Sequence, residues 1–511
     1  MTNSKKITLN IVVNLVSFAV TIIISLFITP LIVNSLGGDA YGFVGLAGNF
    51  AGYAGLVTVA LNSMASRFVS IEIYKGNYKE ANKYFTSVFF ANLAIALVML
   101  PVFVWIVWKL ESLIEIPVHL IGDVKIAFAI TFLQFLLNVI LSRYEIATFV
   151  TNRLYLNQKN TLIASFLRLF LILVSFSLLS VRISYYVGAA FVGSVLCCVM
   201  NVVYTKRYTP ELKLHRSDFD FAYIKRLLSS GVWNLVNKLS NILMDGLDLL
   251  LTNLFIGPIQ MGALALSRTI HSMFYTLRGT LDYPFAPPMT ECYAKGDIDG
   301  VVRNARMGNK VLGIVMIAPM AAFTVFGTSF FKLWVPNQDS RLIQTLALLV
   351  LANLIVSSCI NTVFTIFSVT NKVKIPALMT LLNGVLTVVI NIILLNFTNL
   401  GVYAIAATAS FLGILRNGIF TPLYGAHCLN VKKITFYHEI LTGIFCLTIN
   451  IIIGFIFSQF ISTNTWLSLI LAAGSMVLAC MGVNFFVVLN KQERIFIFDT
   501  LKKKLKRSQG S

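Results

Sequence analysis

The sequence predicts an all-α integral membrane protein of about fourteen transmembrane helices, arranged as two parallel six-helix repeats plus two C-terminal helices. Three observations lead there. Of 511 residues, 57% are hydrophobic and 12% charged, with mean hydropathy +0.83. A soluble domain has roughly 25% charged residues, so the bilayer must be the solvent. Apolar stretches of spanning length follow one another along the whole chain. Lysine and arginine collect in alternate connections.

Taken in order, the spans are expected at roughly 9–36, 41–70, 84–108, 120–147, 157–181, 185–205, 231–256, 262–286, 308–333, 341–370, 375–398, 401–424, 439–461 and 465–489. The opening Lys5-Lys6 and the apolar run to Leu36 superficially resemble a signal peptide. The run is too long for one and lacks a small-x-small cleavage site, so it reads as the first span. With the N-terminus inside, the inner loops and tails hold 30 of the 40 Lys and Arg and the outer loops five: Lys109, Lys125, Arg182, Lys332 and Arg341. That bias predicts two cytoplasmic termini. It also places the +20 net charge against lipid headgroups rather than nucleic acid, for which no binding motif exists. The seven cysteines have no framework or zinc spacing and read as small apolar residues.

The two halves match at a shift of 220 residues. Asn14-Leu15-Val16 falls on Asn234-Leu235-Val236, Gly37 and Gly42 on Gly257 and Gly262, and Lys75-Gly76 on Lys295-Gly296. At a shift of 219, Val150-Thr151-Asn152-Arg153 meets Val369-Thr370-Asn371-Lys372. An even number of spans per repeat gives both halves one orientation. The expected organisation is a first lobe over 1–207, a cytoplasmic loop over 208–230, a second lobe over 231–430, two added spans over 431–490 and a basic cytoplasmic tail over 491–511. The tail reads either as a helix on anionic lipid or as a disordered topology signal.

Two spans break the apolar rule. Residues 231–256 carry Lys238, Asp245 and Asp248, and residues 262–286 carry Arg268, His271, Arg278 and Asp282. At about 100° per residue each set falls on one face, the first joined by Asn234 and Asn241 and the second by Tyr275. A charge facing lipid costs at least about 2.5–3.5 kcal/mol, so the stripes are expected to face a shared, water-filled cavity. The first span repeats the stripe with neutral groups, Asn10, Asn14, Ser17, Thr21, Ser25 and Thr29, which fit either cavity lining or hydrogen bonds between helices. Arg168 and Arg416 are two more intramembrane cations. Arg278 with Asp282, and Lys238 with Asp245, are spaced to form structural ion pairs instead.

Several motifs resemble the polysaccharide-transporter family. Leu36-Gly37-Gly38-Asp39-Ala40-Tyr41-Gly42 is similar to its LG-x3-YG signature; Arg67, Tyr74-Lys75-Gly76-Asn77 and Gly401-Val402-Tyr403-Ala404 also fit. With two sixes plus two spans, the whole chain resembles the O-antigen (Wzx-like) flippases of the multidrug/oligosaccharidyl-lipid/polysaccharide exporter superfamily. The resemblance implies a V-shaped bundle around a cationic cavity, in a bacterial cytoplasmic membrane. It implies transport, not enzymatic chemistry, of a polyprenyl-diphosphate-linked oligosaccharide of O-antigen or capsule type, driven by H+ or Na+ without a cofactor. Other polysaccharide-assembly membrane proteins are implied partners. On this reading Lys238, Arg268 and Arg278, with Arg168 and Arg416, bind the anion; Asn14, Asn234, Asn241 and Tyr275 bind sugar; Asp245, Asp248, His271 and Asp282 couple the ion. Rival readings are a lipid II-type flippase, an organic-cation exporter and a membrane polysaccharide polymerase. A polymerase wants a large catalytic loop, and the outer loops are short.

Overall fold

In the computed structural model, residues 3–151, 153 and 155–494 are described, with side chains from residue 19 onward and at 13, 16 and 17 before it. Among them all regular structure is helical. In chain order the helices are α1 (Asn3–Leu36), α2 (Gly38–Ala54), α3 (Leu56–Tyr74), α4 (Tyr78–Trp108), α5 (Leu110–Leu113), α6 (Ile121–Leu141), α7 (Ile146–Val150), α8 (Tyr155–Leu178), α9 (Ile183–Tyr208), α10 (Phe221–Asn241) and α11 (Asp248–Phe255). There follow α12 (Pro258–Asp282), α13 (Ala286–Ala294), α14 (Ile298–Trp334), α15 (Ser340–Ser358), α16 (Val363–Val369), α17 (Lys374–Phe397), α18 (Val402–Leu415), α19 (Thr421–Leu429), α20 (Tyr437–Phe460) and α21 (Trp466–Val488).

Twelve helices among the described residues are long and apolar enough to cross a membrane. The two expected spans that fall short are the charged ones. Residues 231–256 are cut by an irregular turn, and α12 is regular but too polar. Large apolar side chains stand outward, among them Phe27, Leu97, Leu467 and Leu478, as suits a surface solvated by lipid. Several expected spans are broken: 41–70 at Gly55, 120–147 by a tight turn at Ser142–Glu145, and 341–370 between α15 and α16. After α12 a tight turn at Tyr283–Phe285, in the Pro-rich stretch 284–288, leads into α13.

The internal repeat is visible in local geometry. After α3, the N–H of Lys75, Gly76 and Asn77 donate to the carbonyls of Ile71, Ile73 and Glu72; after α13, Lys295, Gly296 and Asp297 donate to Glu291, Tyr293 and Cys292. Gly76 and Gly296 both hold positive φ, +76° and +74°, a helix-ending conformation that suits glycine. The second match behaves alike: Arg153 N–H donates to Thr148 O, as Lys372 does to Phe367 O.

The chain falls into two compact units, Met1–Leu266 with Ala377–Ile405, and Ser267–Pro376 with Ala406–Ser511. In the first, α10 packs along α3, over a core that includes Leu61, Val69, Phe85 and Leu227. The approach is very close: a Cβ on Gly231 would lie 1.9 Å from the Ala60 carbonyl oxygen. Arg143, which the charge count assigns to an inner loop, is buried; its guanidinium lies 3.7 Å from the Phe89 ring centroid and 4.8 Å from that of Phe85. Ser17 donates to Gln158 O and Thr29 to the Tyr41 hydroxyl, so these two members of the neutral stripe join helices. Asn10 and Asn14 have side chains outside the described set.

In the second unit α20 and α21 pack against α14, whose 37 residues make about 55 Å, well beyond a hydrocarbon core of about 30 Å. Its early turns carry two ion pairs. Arg306 Nε donates to Glu439 Oε1 at 2.7 Å, and Lys310 Nζ reaches both Glu493 oxygens at 2.7 and 2.9 Å. The latter pins the chain just after α21. Most of the basic tail, residues 495–511, lies outside the described residues. Burial pushes the Glu493 carboxyl up, but hydrogen bonds from Lys310 and the Asn490 backbone outweigh it and hold the group below the ordinary glutamate range. A lowered carboxylate pKa adds stability above the unfolded pKa of about 4.3, lost as pH falls through the folded value. Glu493→Gln is therefore expected to lower the melting temperature of the purified protein throughout pH 5–8. Wild-type and variant melting curves are expected to converge only below about pH 4.

Candidate functional site

The first charged segment is not one continuous helix. α10 ends at Asn241, and a wider π-type turn follows over Ile242–Gly246, closed by Leu247 N–H donating to Ile242 O at 3.1 Å. α11 then starts at Asp248. The wide turn holds one residue more than an α-helical turn, so side chains beyond it are rotated by about 100° from a regular wheel. This separates the three charges. Lys238 is half-buried and Asp245 exposed, with Asn234 half-buried and Asn241 exposed. Asp248 is only 5% exposed, with Oδ1 accepting from Leu249 N–H. Beside it Tyr53 of α2 donates from its hydroxyl to Gly246 O, so α2 clamps the wide turn. Among the described residues Lys238 has no hydrogen-bond or ion-pair partner, and the Lys238–Asp245 pair is not formed.

On α12 the expected stripe stays in line. His271 and Tyr275 have ring centroids 6.0 Å apart, and the Arg278 guanidinium lies 4.8 Å from the Tyr275 centroid. Arg278 also donates to Ser357 Oγ of α15. Asp282, one turn on, is near both Arg278 and Asn361, while Arg268 is half-buried at the other end of the stripe. Tyr275 is exposed. No ion pair joins Arg278 to Asp282 among the described residues.

The remaining cations are apart from these stripes along the chain. Arg168 of α8 stacks on Tyr186 of α9, 4.3 Å from its ring centroid. Arg416 opens a second wide turn, Arg416–Phe420, and donates from Nε to Asn417 Oδ1 at 3.4 Å. Asn417 is buried and donates to Asn353 Oδ1 at 2.9 Å. Sequence reading missed the roles of Tyr53, Asn353 and Asn417. Asn353 stands in an otherwise apolar run and Asn417 directly follows Arg416, which were readable signals; Tyr53 gave none. No group of three metal-ligating side chains is present among the described residues.

The phase slip has a chemical readout. In a variant with the seven native cysteines replaced, Asp245→Cys is expected to react readily with a membrane-impermeant maleimide and Asp248→Cys to resist it. Equal labelling at both positions would contradict the wide turn.

No family model matches this chain. It is 30% identical over 503 residues, 98% of both chains, to the "uncharacterized membrane protein EpsK" of Bacillus subtilis strain 168. Among solved structures it is similar to the lipid II flippase MurJ in an inward closed conformation, with TM-score 0.67 and 13% identity, covering 94% of this chain and 100% of that one. An inward-facing multidrug resistance MATE family transporter of the MOP superfamily gives TM-score 0.62 at 13% identity over 82% of this chain and 98% of that one. A MOP superfamily transporter from Pyrococcus furiosus, described as having a binding pocket of reverse polarity, gives 0.61 at 12% identity over 84% and 96%. The chain is thus a multi-pass membrane protein with a MATE/MurJ-like transporter fold, and it belongs to the family of the membrane protein EpsK.

Proposed function

We propose that this protein is a flippase that moves a polyprenyl-diphosphate-linked oligosaccharide from the inner to the outer leaflet of a bacterial cytoplasmic membrane, coupled to H+ or Na+. The observation that carries the reading is Lys238, a half-buried cation in a membrane-length segment with no partner among the described residues. A cation placed so, at a cost no structural pairing offsets, suits an anionic ligand. Arg268 and Arg278 are the further diphosphate ligands, since a guanidinium grips phosphate oxygens in pairs, and Arg168 and Arg416 are secondary anion-binding groups. Asn14, Asn234, Asn241 and Tyr275 hydrogen-bond sugar. Asp245, exposed, leads the ion-coupling candidates, with Asp248, His271 and Asp282. The basic loops and tail meet anionic lipid, with both termini in the cytoplasm. The headgroup needs a hydrated path because it cannot cross hydrocarbon, whereas the lipid tail stays in the bilayer.

A lipid II-type substrate is the second reading. The MurJ structure covers more of this chain, 94%, than the MATE transporter does, 82%. The diphosphate chemistry is the same in both.

The test is flipping of a fluorescent undecaprenyl-diphosphate oligosaccharide in proteoliposomes under proton and sodium gradients, with lipid II as the parallel substrate. Lys238→Ala is expected to slow flipping about ten- to hundredfold, the value of one charge-assisted hydrogen bond of roughly 1.5–3 kcal/mol. Its elution profile and helicity should match the wild type. Undiminished flipping in Lys238→Ala, Arg268→Ala and Arg278→Ala would remove the cationic site, and efflux of an organic cation in place of flipping would overturn the reading.

A further inference from the structure

The first unit holds a second polar feature, apart in sequence from the charged segments. A cavity of about 420 Å³ lies among α2, α6, α8 and α9, within the size range of small-molecule sites, about 300–1,000 Å³. Arg168, Tyr186, Gln134 and Asn138 line it. Gln134 and Asn138 are four residues apart and so share one face of α6. Gly48 and Gly52, likewise four apart on α2, give it a flat wall, and a Cβ at either would meet nothing within 4 Å.

The polar groups are underused. Among the described residues Arg168 makes no hydrogen bond; its Nε is buried and its guanidinium rests only on the Tyr186 ring. Asn138 Oδ1 accepts from Ser194 Oγ at 2.8 Å, which leaves its N–H2 as a donor. Gln134 and the Tyr186 hydroxyl have no partner among the described residues. No acidic residue lines the cavity. It therefore presents one positive charge ringed by amide and hydroxyl groups, in a helix bundle where each such group is costly to leave unpaired.

We propose that this cavity binds a sugar ring bearing a carboxylate, of the hexuronic-acid class. A guanidinium and a carboxylate match in charge and in paired geometry. The two amides and the tyrosine hydroxyl supply donors and acceptors for ring hydroxyls. The glycine wall lets one face of the pyranose ring lie against backbone. A single charge matches a monoanion rather than a diphosphate, and a bare inorganic anion would use neither the volume nor the amides. The inference rests on the transport reading only for the origin of the sugar, a residue of the lipid-linked oligosaccharide or a free uronic acid.

The test is calorimetric titration of the full-length protein in nanodiscs with glucuronate, methyl glucuronoside, glucose and acetate. Glucuronate is expected to bind at least about tenfold more tightly than glucose or acetate, since a site built for a polar group rejects analogues lacking it. Arg168→Met should abolish that binding. So should Gly48→Leu, which adds bulk where a Cβ meets nothing within 4 Å, removes no polar group and should leave the melting temperature unchanged. Binding of the methyl glycoside as well assigns the site to an oligosaccharide residue; binding of the free acid alone assigns it to a free uronic acid. Absence of glucuronate binding, equal binding of glucose or acetate, or full binding by Gly48→Leu would overturn the proposal. Glucuronate binding without any flipping would sink the flippase reading and leave this site standing.

Discussion

Hydrocarbon offers no hydrogen bonds and little room for charge, and every departure from plain apolar helix in this chain answers to that constraint. Three answers coexist. Arg143 is wrapped in aromatic rings, which give its guanidinium a polarisable surround. Arg306 and Lys310 are matched with Glu439 and Glu493 near the start of a helix too long for the bilayer. The charges of α10 to α12 and Arg416 are handled otherwise, and two of those places, at Asp245 and at Arg416, coincide with wide turns. A wide turn frees backbone carbonyls from the regular ladder, and such turns are common where helices do chemistry.

Much of this was readable from residues alone. Apolar length located the helices, and the matched Lys-Gly pairs located two turns that repeat bond for bond. The errors have a common cause. A helical wheel assumes 100° at every step, and nothing in Ile242-Leu243-Met244-Asp245-Gly246 announces a wider turn. Lys238, Asn241 and Asp245 precede or sit within it and keep the expected exposure; Asp248 follows it and is turned inward. On α12, which is regular, the stripe from His271 to Arg278 stays in line. Hydropathy likewise merged α2 with α3, because both sides of Gly55 are apolar and only a single turn residue separates them.

Polar residues with short reach were the least legible. The spacing of Ser17 and Thr29 fitted cavity lining and hydrogen bonds between helices equally, and only the contacts show that each serves a neighbouring helix. Gln134 and Asn138 drew no attention because neither is charged, although their spacing on an apolar helix is the same kind of pattern. Side-chain amides are quiet in composition and loud in a bilayer.

The meeting of Gly231 with Ala60 has a mechanical consequence. Most helix pairs interlock, with side chains of one seated between those of the other, so relative movement means unseating them. Where a glycine faces an alanine backbone at contact distance there is nothing to unseat. At that one point the seam tolerates no added atom. Beside it Leu61 and Val69 of α3 share a packed core with Leu227 of α10, so the glycine sets how closely the two helices approach while the larger side chains hold them in register.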